Sequence, residues 1–142
     1  MTGPCVPCAL EEAEPTHVVF RNPLWAGEIF PGFEVPGWLV VRARRHVLHL
    51  RDLDEPEAHS YGAVLRDLSA ALCETLGVTT VYTVSFGERH RHFHTLVIAR
   101  GDEVPAEHRS ANIFGLRETL IDVPAAEATA RAVAARLRHL NP

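Results

Sequence analysis

The sequence predicts an α+β fold, a mainly antiparallel sheet of about five strands with two principal helices packed on it. Three observations carry that expectation. Apolar residues recur at helical spacing after Asp54, a second helical stripe closes the chain, and β-rich runs broken by glycine and proline occupy most of the interval outside them.

His17 to Phe20 is the first β-rich run, after a polar N-terminal segment. Residues 22–37 hold three prolines and three glycines, with Trp25, Ile29, Phe30 and Phe33 between them, which reads as strand fragments and tight turns with aromatic anchors. Gly37-Trp38-Leu39-Val40-Val41 reads as a buried strand running into Arg42, Arg44 and Arg45. Asp54 precedes Glu57 by three positions with Pro56 between, the pattern of a capping box. Tyr61, Val64, Leu65, Leu68, Leu72 and Leu76 then form one core-facing stripe, and Gly77 supplies a stop. Cys73 beside that stripe reads as a small core residue.

Val78 to Phe86 is rich in valine, threonine and aromatics, so it reads as a strand. Gly87-Glu88 breaks it, and His90 to Ala99 reads as its antiparallel hairpin partner. Residues 101–123 read as irregular with one short strand near Leu120. A final helix over about 124–140 shows Ala126, Ala130, Val133, Leu137 and Leu140 on one stripe. No repeat, low-complexity tract or linker divides the 142 residues, so a single domain over 1–142 is expected. Trp25 and Trp38 read as core or interface anchors ahead of a base-pocket role.

The formal net charge of −4 sets up no global basic field, so neither nucleic acid nor an acidic membrane is an expected partner. An anionic small molecule would need a local cationic patch. No signal peptide opens the chain and no apolar run approaches a membrane span, so a reducing cytoplasm is the expected compartment. Three cysteines, Cys5, Cys8 and Cys73, make a poor disulfide framework. Cys5-Val6-Pro7-Cys8 instead fits half of a tetrahedral zinc site, with His46, His49 and His90 as candidates to complete it. A redox pair would normally open a helix after a strand, and two exposed thiols on a loose tail are the plain alternative.

Nine histidines are the compositional oddity, and three of them, His90, His92 and His94, alternate within five residues. On an extended strand they share a face, with roughly 13–14 Å between the outer two, too far for one metal to hold all three. Separate roles along one edge of a site suit that spacing better, although an adjacent His-x-His pair could share a metal.

His90-Arg91-His92-Phe93-His94-Thr95-Leu96 resembles the motif of the histidine-triad (HIT) superfamily. Gly37 to Val47, ending in basic residues and His46, is similar to that family's glycine–hydrophobic strand, and the resemblance runs over roughly residues 5–100. It implies a HIT-like fold built as a homodimer, with a nucleotide as small-molecule substrate. It further implies hydrolysis of a nucleotide ester, amidate or anhydride, or nucleotidyl transfer, through a nucleotidyl-histidine intermediate. By resemblance His92 is the nucleophile, and His94 donates to or contacts the phosphate. Arg91, where the family has an apolar residue, is a candidate substrate contact. Some members carry an N-terminal Cys-x-x-Cys completed by two histidines; that implies a structural zinc held by Cys5, Cys8, His46 and His90, tethering residues 1–16, with His49 as fallback. No catalytic metal is required. The chain departs from the family in having no recognisable ribose-binding acid or amide within residues 22–37. Two other classes are carried alongside: a zinc-dependent hydrolase or oxygenase on a His-x-His metal site, and a nucleotide-binding module without turnover.

Overall fold

The structure, a computed structural model, describes residues 4–140. Its first turn is set by Cys5, whose thiol accepts a hydrogen bond from the Cys8 amide at 3.4 Å. Pro7 falls in that turn, where a helix has no use for the missing N–H, so Val6–Ala9 closes as one helical turn, α1. Two short 3-10 turns, Leu10–Glu12 and Pro15–His17, lead into β1, Val18–Arg21. The other strands are β2 (Trp25–Glu28), β3 (Trp38–Ala43), β4 (Thr80–Val84) and β5 (His94–Arg100). They form one five-stranded sheet in the order β1-β2-β3-β5-β4, with every neighbouring pair antiparallel.

All six residues of β3 are buried, because both faces of the sheet are covered there. Alternation sends Leu39, Val41 and Ala43 toward α2 (Glu55–Leu76) and α4 (Val123–Leu140), where they meet Leu68, Leu72, Ala126, Ala130, Val133 and Leu137. The side chain of Leu140, expected on the same stripe, lies outside the described residues. On the opposite face, Val40 packs with Leu10 and Phe30, and Trp38 with Ile98 and Ile113. Trp25 and Trp38 are both core residues, and the Trp25 indole donates to Ser60 Oγ at 2.9 Å.

The capping box forms as expected: Glu57 N–H donates to Asp54 Oδ1 and Asp54 N–H to Glu57 Oε1, each at 2.9 Å. Gly77 ends α2 at φ +67°, a conformation costly for any residue with a Cβ. Gly37 has the same need and less room. At φ +83°, a Cβ there would lie 2.7 Å from Leu76 Cδ1 and 3.1 Å from Ala99 Cβ.

Two expected strands are corrected. β5 begins at His94, not His90, because residues 90–93 use their backbone elsewhere. His92 N–H turns back to His90 O at 2.9 Å, and Phe93 N–H donates to Val47 O at 2.6 Å while Phe93 O accepts from Ala43. The segment around Leu120 is no strand. It is a run of 3-10 turns, Ala106–His108 and Ser110–Leu116, followed by a one-turn helix, α3 (Arg117–Leu120). Leu120 and Phe114 lie over the Trp38–Ile98 cluster, so the segment covers a sheet face instead of pairing with an edge. Among the described residues, no helix is long and apolar enough to cross a membrane.

Candidate metal centre and adjoining cavity

The turn that pairs Cys5 with Cys8 lies against the end of β3 and the segment before β5. Their sulfurs approach two imidazole nitrogens, and those belong to His46 and His92. Cys5 Sγ lies 3.5 Å from His46 Nδ1 and 3.4 Å from His92 Nδ1; the corresponding distances from Cys8 Sγ are 3.2 and 3.3 Å. The two nitrogens are 3.2 Å apart. Ligands at zinc–sulfur and zinc–nitrogen bond lengths on a tetrahedron stand ~3.5 Å (S to N) and ~3.3 Å (N to N) from one another. The four atoms fit a zinc ion in both chemistry and spacing.

Backbone contacts prepare the ligands for that role. His92 is fully buried, and its Nε2 lies 2.6 Å from the carbonyl oxygen of Ala43. A carbonyl only accepts, so Nε2 carries the proton and Nδ1 presents a lone pair to the sulfurs. Burial holds the His92 imidazole below the ordinary histidine range, which keeps it neutral, as a ligand must be. Burial and the neighbouring Cys5 push the Cys8 thiol up to about 11, so binding a dication displaces a proton from it.

The fourth position expected for His90 is therefore corrected: the fold brings His92, not His90, to Cys5, Cys8 and His46. An irregular backbone explains the change, since residues before His94 do not follow strand alternation. His46, not His49, supplies the other imidazole; His49 precedes a short 3-10 turn, Leu50–Asp52.

Charged residues lock the cysteine turn onto the sheet independently of any ion. Glu11, three residues after Cys8, accepts from Arg42 Nη2 at 2.6 Å and from Arg44 Nη2 at 2.8 Å. Arg42, itself fully buried, forms a second pair with buried Glu28 through Nε at 2.9 Å and Nη2 at 2.7 Å. Hydrogen bonds from Arg44 and then Arg42 outweigh the effect of burial and lower the Glu11 carboxyl to about 2. Arg45 performs the same service for the His46 loop: its guanidinium donates to Glu57, whose carboxyl it holds below the usual range.

His94 belongs to a different cavity, of about 630 Å³, on the sheet face away from α2 and α4. Its Nδ1 lies 2.6 Å from the carbonyl of His92 and must donate to it, so in the neutral ring the lone pair belongs to Nε2, which has no hydrogen-bond partner among the described residues. Phe30 stacks on the His94 ring, centroids 6.0 Å apart and planes 14° apart, and also meets His90 at 5.2 Å. Phe33, Phe86 and Phe114 extend the aromatic wall. Cationic groups reach the cavity from Arg89 and from Arg117, whose guanidinium lies 4.9 Å over the Phe33 ring and donates to Gly32 O. Arg91, the expected substrate contact, is exposed and borders a neighbouring cavity with Cys5 and His46, not the one that holds His94.

Sequence reasoning missed Glu11, Glu28, Phe30, Arg89 and Arg117 as parts of the two sites. Only Phe30 carried a signal, as one of the aromatics interspersed among the turns of residues 22–37.

The sequence matches no protein-family model and no curated protein. Solved structures do match, and they place the chain in one fold, that of the histidine-triad proteins. A zinc-bound histidine triad family protein from Mycobacterium smegmatis is 20% identical, covers 96% of this chain and 95% of its own, and superposes with a TM-score of 0.73. A hypothetical histidine triad nucleotide-binding protein from Sulfolobus tokodaii is 14% identical with a TM-score of 0.75, covering 96% of this chain and 93% of its own. A diadenosine triphosphate hydrolase from Plasmodium falciparum is 13% identical with a TM-score of 0.67, over 89% of this chain and 79% of its own. At these identities the likeness is one of fold.

Proposed function

We propose that this protein is a nucleotide hydrolase or nucleotidyl transferase that works through a covalent histidine intermediate, with His94 as the nucleophile and a structural zinc beside it. The carrying observation is the tautomer of His94: Nδ1–H is tied to the His92 carbonyl, and the Nε2 lone pair belongs to a residue lining an aromatic, cation-bearing cavity. The similarity in fold to a nucleotide-binding protein and a diadenosine triphosphate hydrolase supports the reading.

Cys5, Cys8, His46 and His92 would hold the zinc. With four protein ligands no position remains for water or substrate, so the ion supplies cross-linking of the N-terminal turn to the segment before β5, not chemistry. The nucleophile assigned by resemblance, His92, has Nε2 donating to Ala43 and Nδ1 among the metal ligands, which leaves no lone pair for attack. The role moves two residues on.

His94 Nε2 attacks the phosphorus of a bound phosphoester, amidate or anhydride. A P–N bond forms as the bond to the leaving group breaks, and that group departs with the electron pair and takes up a proton. Water then attacks the same phosphorus and gives up a proton to solvent, while the P–N bond breaks with its electron pair returning to Nε2, which restores the neutral imidazole. The backbone carbonyl of His92 stabilises the cationic ring in between, Arg89 would neutralise phosphate oxygens, and His90 would donate a hydrogen bond to them. Dimerisation is part of the same proposal, supported by the sheet-edge position of β4 and by exposed Phe86 just after it. Three free cysteines fit a cytoplasmic setting.

Incubation with adenosine 5′-phosphoramidate and diadenosine triphosphate, followed by intact mass and peptide mapping, tests the assignment. An adenylyl adduct on His94, absent from His94→Ala while zinc stays bound, is the expected result. An adduct that persists in His94→Ala, or maps to His92, refutes it. Binding of the nucleotide without adduct or product would instead favour a binding module.

A further inference from the structure

Two rings stand beside the His94 imidazole, the hydrocarbon ring of Phe30 with centroids 6.0 Å apart and the imidazole of His90 at 6.3 Å. In a nucleoside 5′-phosphate ester the sugar is joined to phosphorus through one oxygen, so it lies next to His94 whenever Nε2 is in line for attack. There the cavity presents Phe30, only 5% exposed, its ring parallel to the His94 imidazole and packed from behind by Leu10 and Val40. A ring held on both sides cannot swing away to admit a polar neighbour. The side chains that bring polar atoms to this cavity are Glu88, Arg89, His90, His94 and Arg117. Arg89 and Arg117 have only donors to offer, and the His90 imidazole, which burial holds toward its neutral form, has a single acceptor nitrogen; a pair of sugar hydroxyls calls for an acceptor that takes both, as a carboxylate does. Among the described residues that line the cavity Glu88 is the one carboxylate, and it is an exposed residue that also borders the neighbouring cavity beside Cys5.

We infer that the site does not read the sugar: it takes 2′-deoxyribonucleotide esters as readily as ribonucleotide esters, because Phe30 offers ring carbon where a ribose-selective site would place a hydrogen-bond acceptor. Recognition then falls on the flat base, through the aromatic wall of Phe33, Phe86 and Phe114, and on the phosphates, through the cationic side chains. This deepens, and rests on, the nucleotidyl-transfer reading of His94. The contrast is large enough to measure. A site built to hydrogen-bond a substrate hydroxyl rejects the analogue lacking it by ~10⁴–10⁵, whereas an apolar surface separates the two by no more than ~10², and in favour of the analogue without the hydroxyl.

The experiment compares kcat/KM of the zinc-loaded wild-type protein for the 5′-phosphoramidates of adenosine, 2′-deoxyadenosine and 2′,3′-dideoxyadenosine. The deoxy and dideoxy compounds are expected to match or exceed the ribonucleotide, by no more than ~10²-fold, the reverse of a hydroxyl-reading site. A preference for the ribonucleotide of about tenfold or more overturns the inference while leaving the nucleophile assignment standing. Absence of turnover and adduct with all three defeats the nucleotidyl-transfer reading itself, and this inference with it. Two variants add a second readout. Glu88→Gln should leave the ribo-to-deoxy ratio unchanged, and a shift in that ratio would make Glu88 the sugar reader and count against the proposal. Phe30→Asn, if its circular dichroism and zinc content match wild type, should create a preference for the ribose form. A folded Phe30→Asn protein without any such preference would show that the sugar does not lie against Phe30.

Discussion

His92 Nε2 donates to the carbonyl oxygen of Ala43 at 2.6 Å, and that bond divides the labour between two histidines. It turns the Nδ1 lone pair of His92 toward the sulfurs of Cys5 and Cys8, while the carbonyl of His92 itself holds the proton of His94. His92 and His94, two residues apart, are thereby left with opposite ring nitrogens available.

Zinc binding should follow His92 and ignore His90. His92→Ala is expected to weaken zinc by more than the roughly 100-fold that loss of an outer-shell partner can cost, as read by competition with a chromophoric chelator. His90→Ala should retain wild-type affinity. Equal losses in the two variants, or none in His92→Ala, would show that the ion is held elsewhere. Chelation of the wild-type protein should lower its thermal midpoint, since an ion that binds only the folded state stabilises it by mass action.

Acid should loosen the cysteine turn. The Glu11 carboxyl is lowered from an ordinary 4.5 to about 2 by Arg44 and Arg42, so folding favours its charged form. Its stabilisation is complete above the unfolded value and disappears as pH falls from 4.5 toward 2. Urea midpoints measured across that window should decline less steeply in Glu11→Gln than in wild type. Glu57, lowered by Arg45, acts in the same direction and keeps some decline in the variant. Parallel curves for the two proteins would remove Glu11 from the account. Because Glu11 is about a third exposed, solvent screens the pair and the effect should shrink with added salt.

The deeper pair is less forgiving. Arg42 and Glu28 are both fully buried, and removing Arg42 leaves the Glu28 carboxylate with only the longer contact to Arg21, at 3.4 Å. Arg42→Met should cost about 3–5 kcal/mol in equilibrium unfolding. The double variant Arg42→Met with Glu28→Leu should recover a large part of that loss, because no charge remains buried. A single variant as stable as wild type would mean that water reaches the pair.

Gly37→Ala tests the packing of α2 on the sheet. The added Cβ meets Leu76 and Ala99 at 2.7 and 3.1 Å, and the backbone sits at φ +83°. Strain and overpacking each cost on the order of 1–3 kcal/mol, so a clear fall in thermal midpoint is expected. An unchanged midpoint would show that Leu76, partly exposed at the end of its helix, simply moves aside.

Local chemistry is what the sequence by itself determined. The capping box at Asp54 and Glu57, the glycine stop at Gly77, the helical stripe through Leu68 and Leu72, and the Cys5–Cys8 turn each depend on residues a few positions apart, whose geometry the backbone dictates. The Cys-x-x-Cys with neighbouring histidines announced a metal site, and His92 with His94 announced a second centre. Tertiary structure alone decided which histidine joins the cysteines, His92 and not His90. Strand alternation holds only while the backbone is extended, and residues 90–93 give that up to bond with Ala43 and Val47. Partners distant in sequence were equally invisible: Glu11 meets Arg42 across 31 positions, and Arg117 reaches Gly32 across 85. Pairings of that kind are chosen by the path of the sheet, which brings the N-terminal turn, the end of β3 and the segment before β5 to one place.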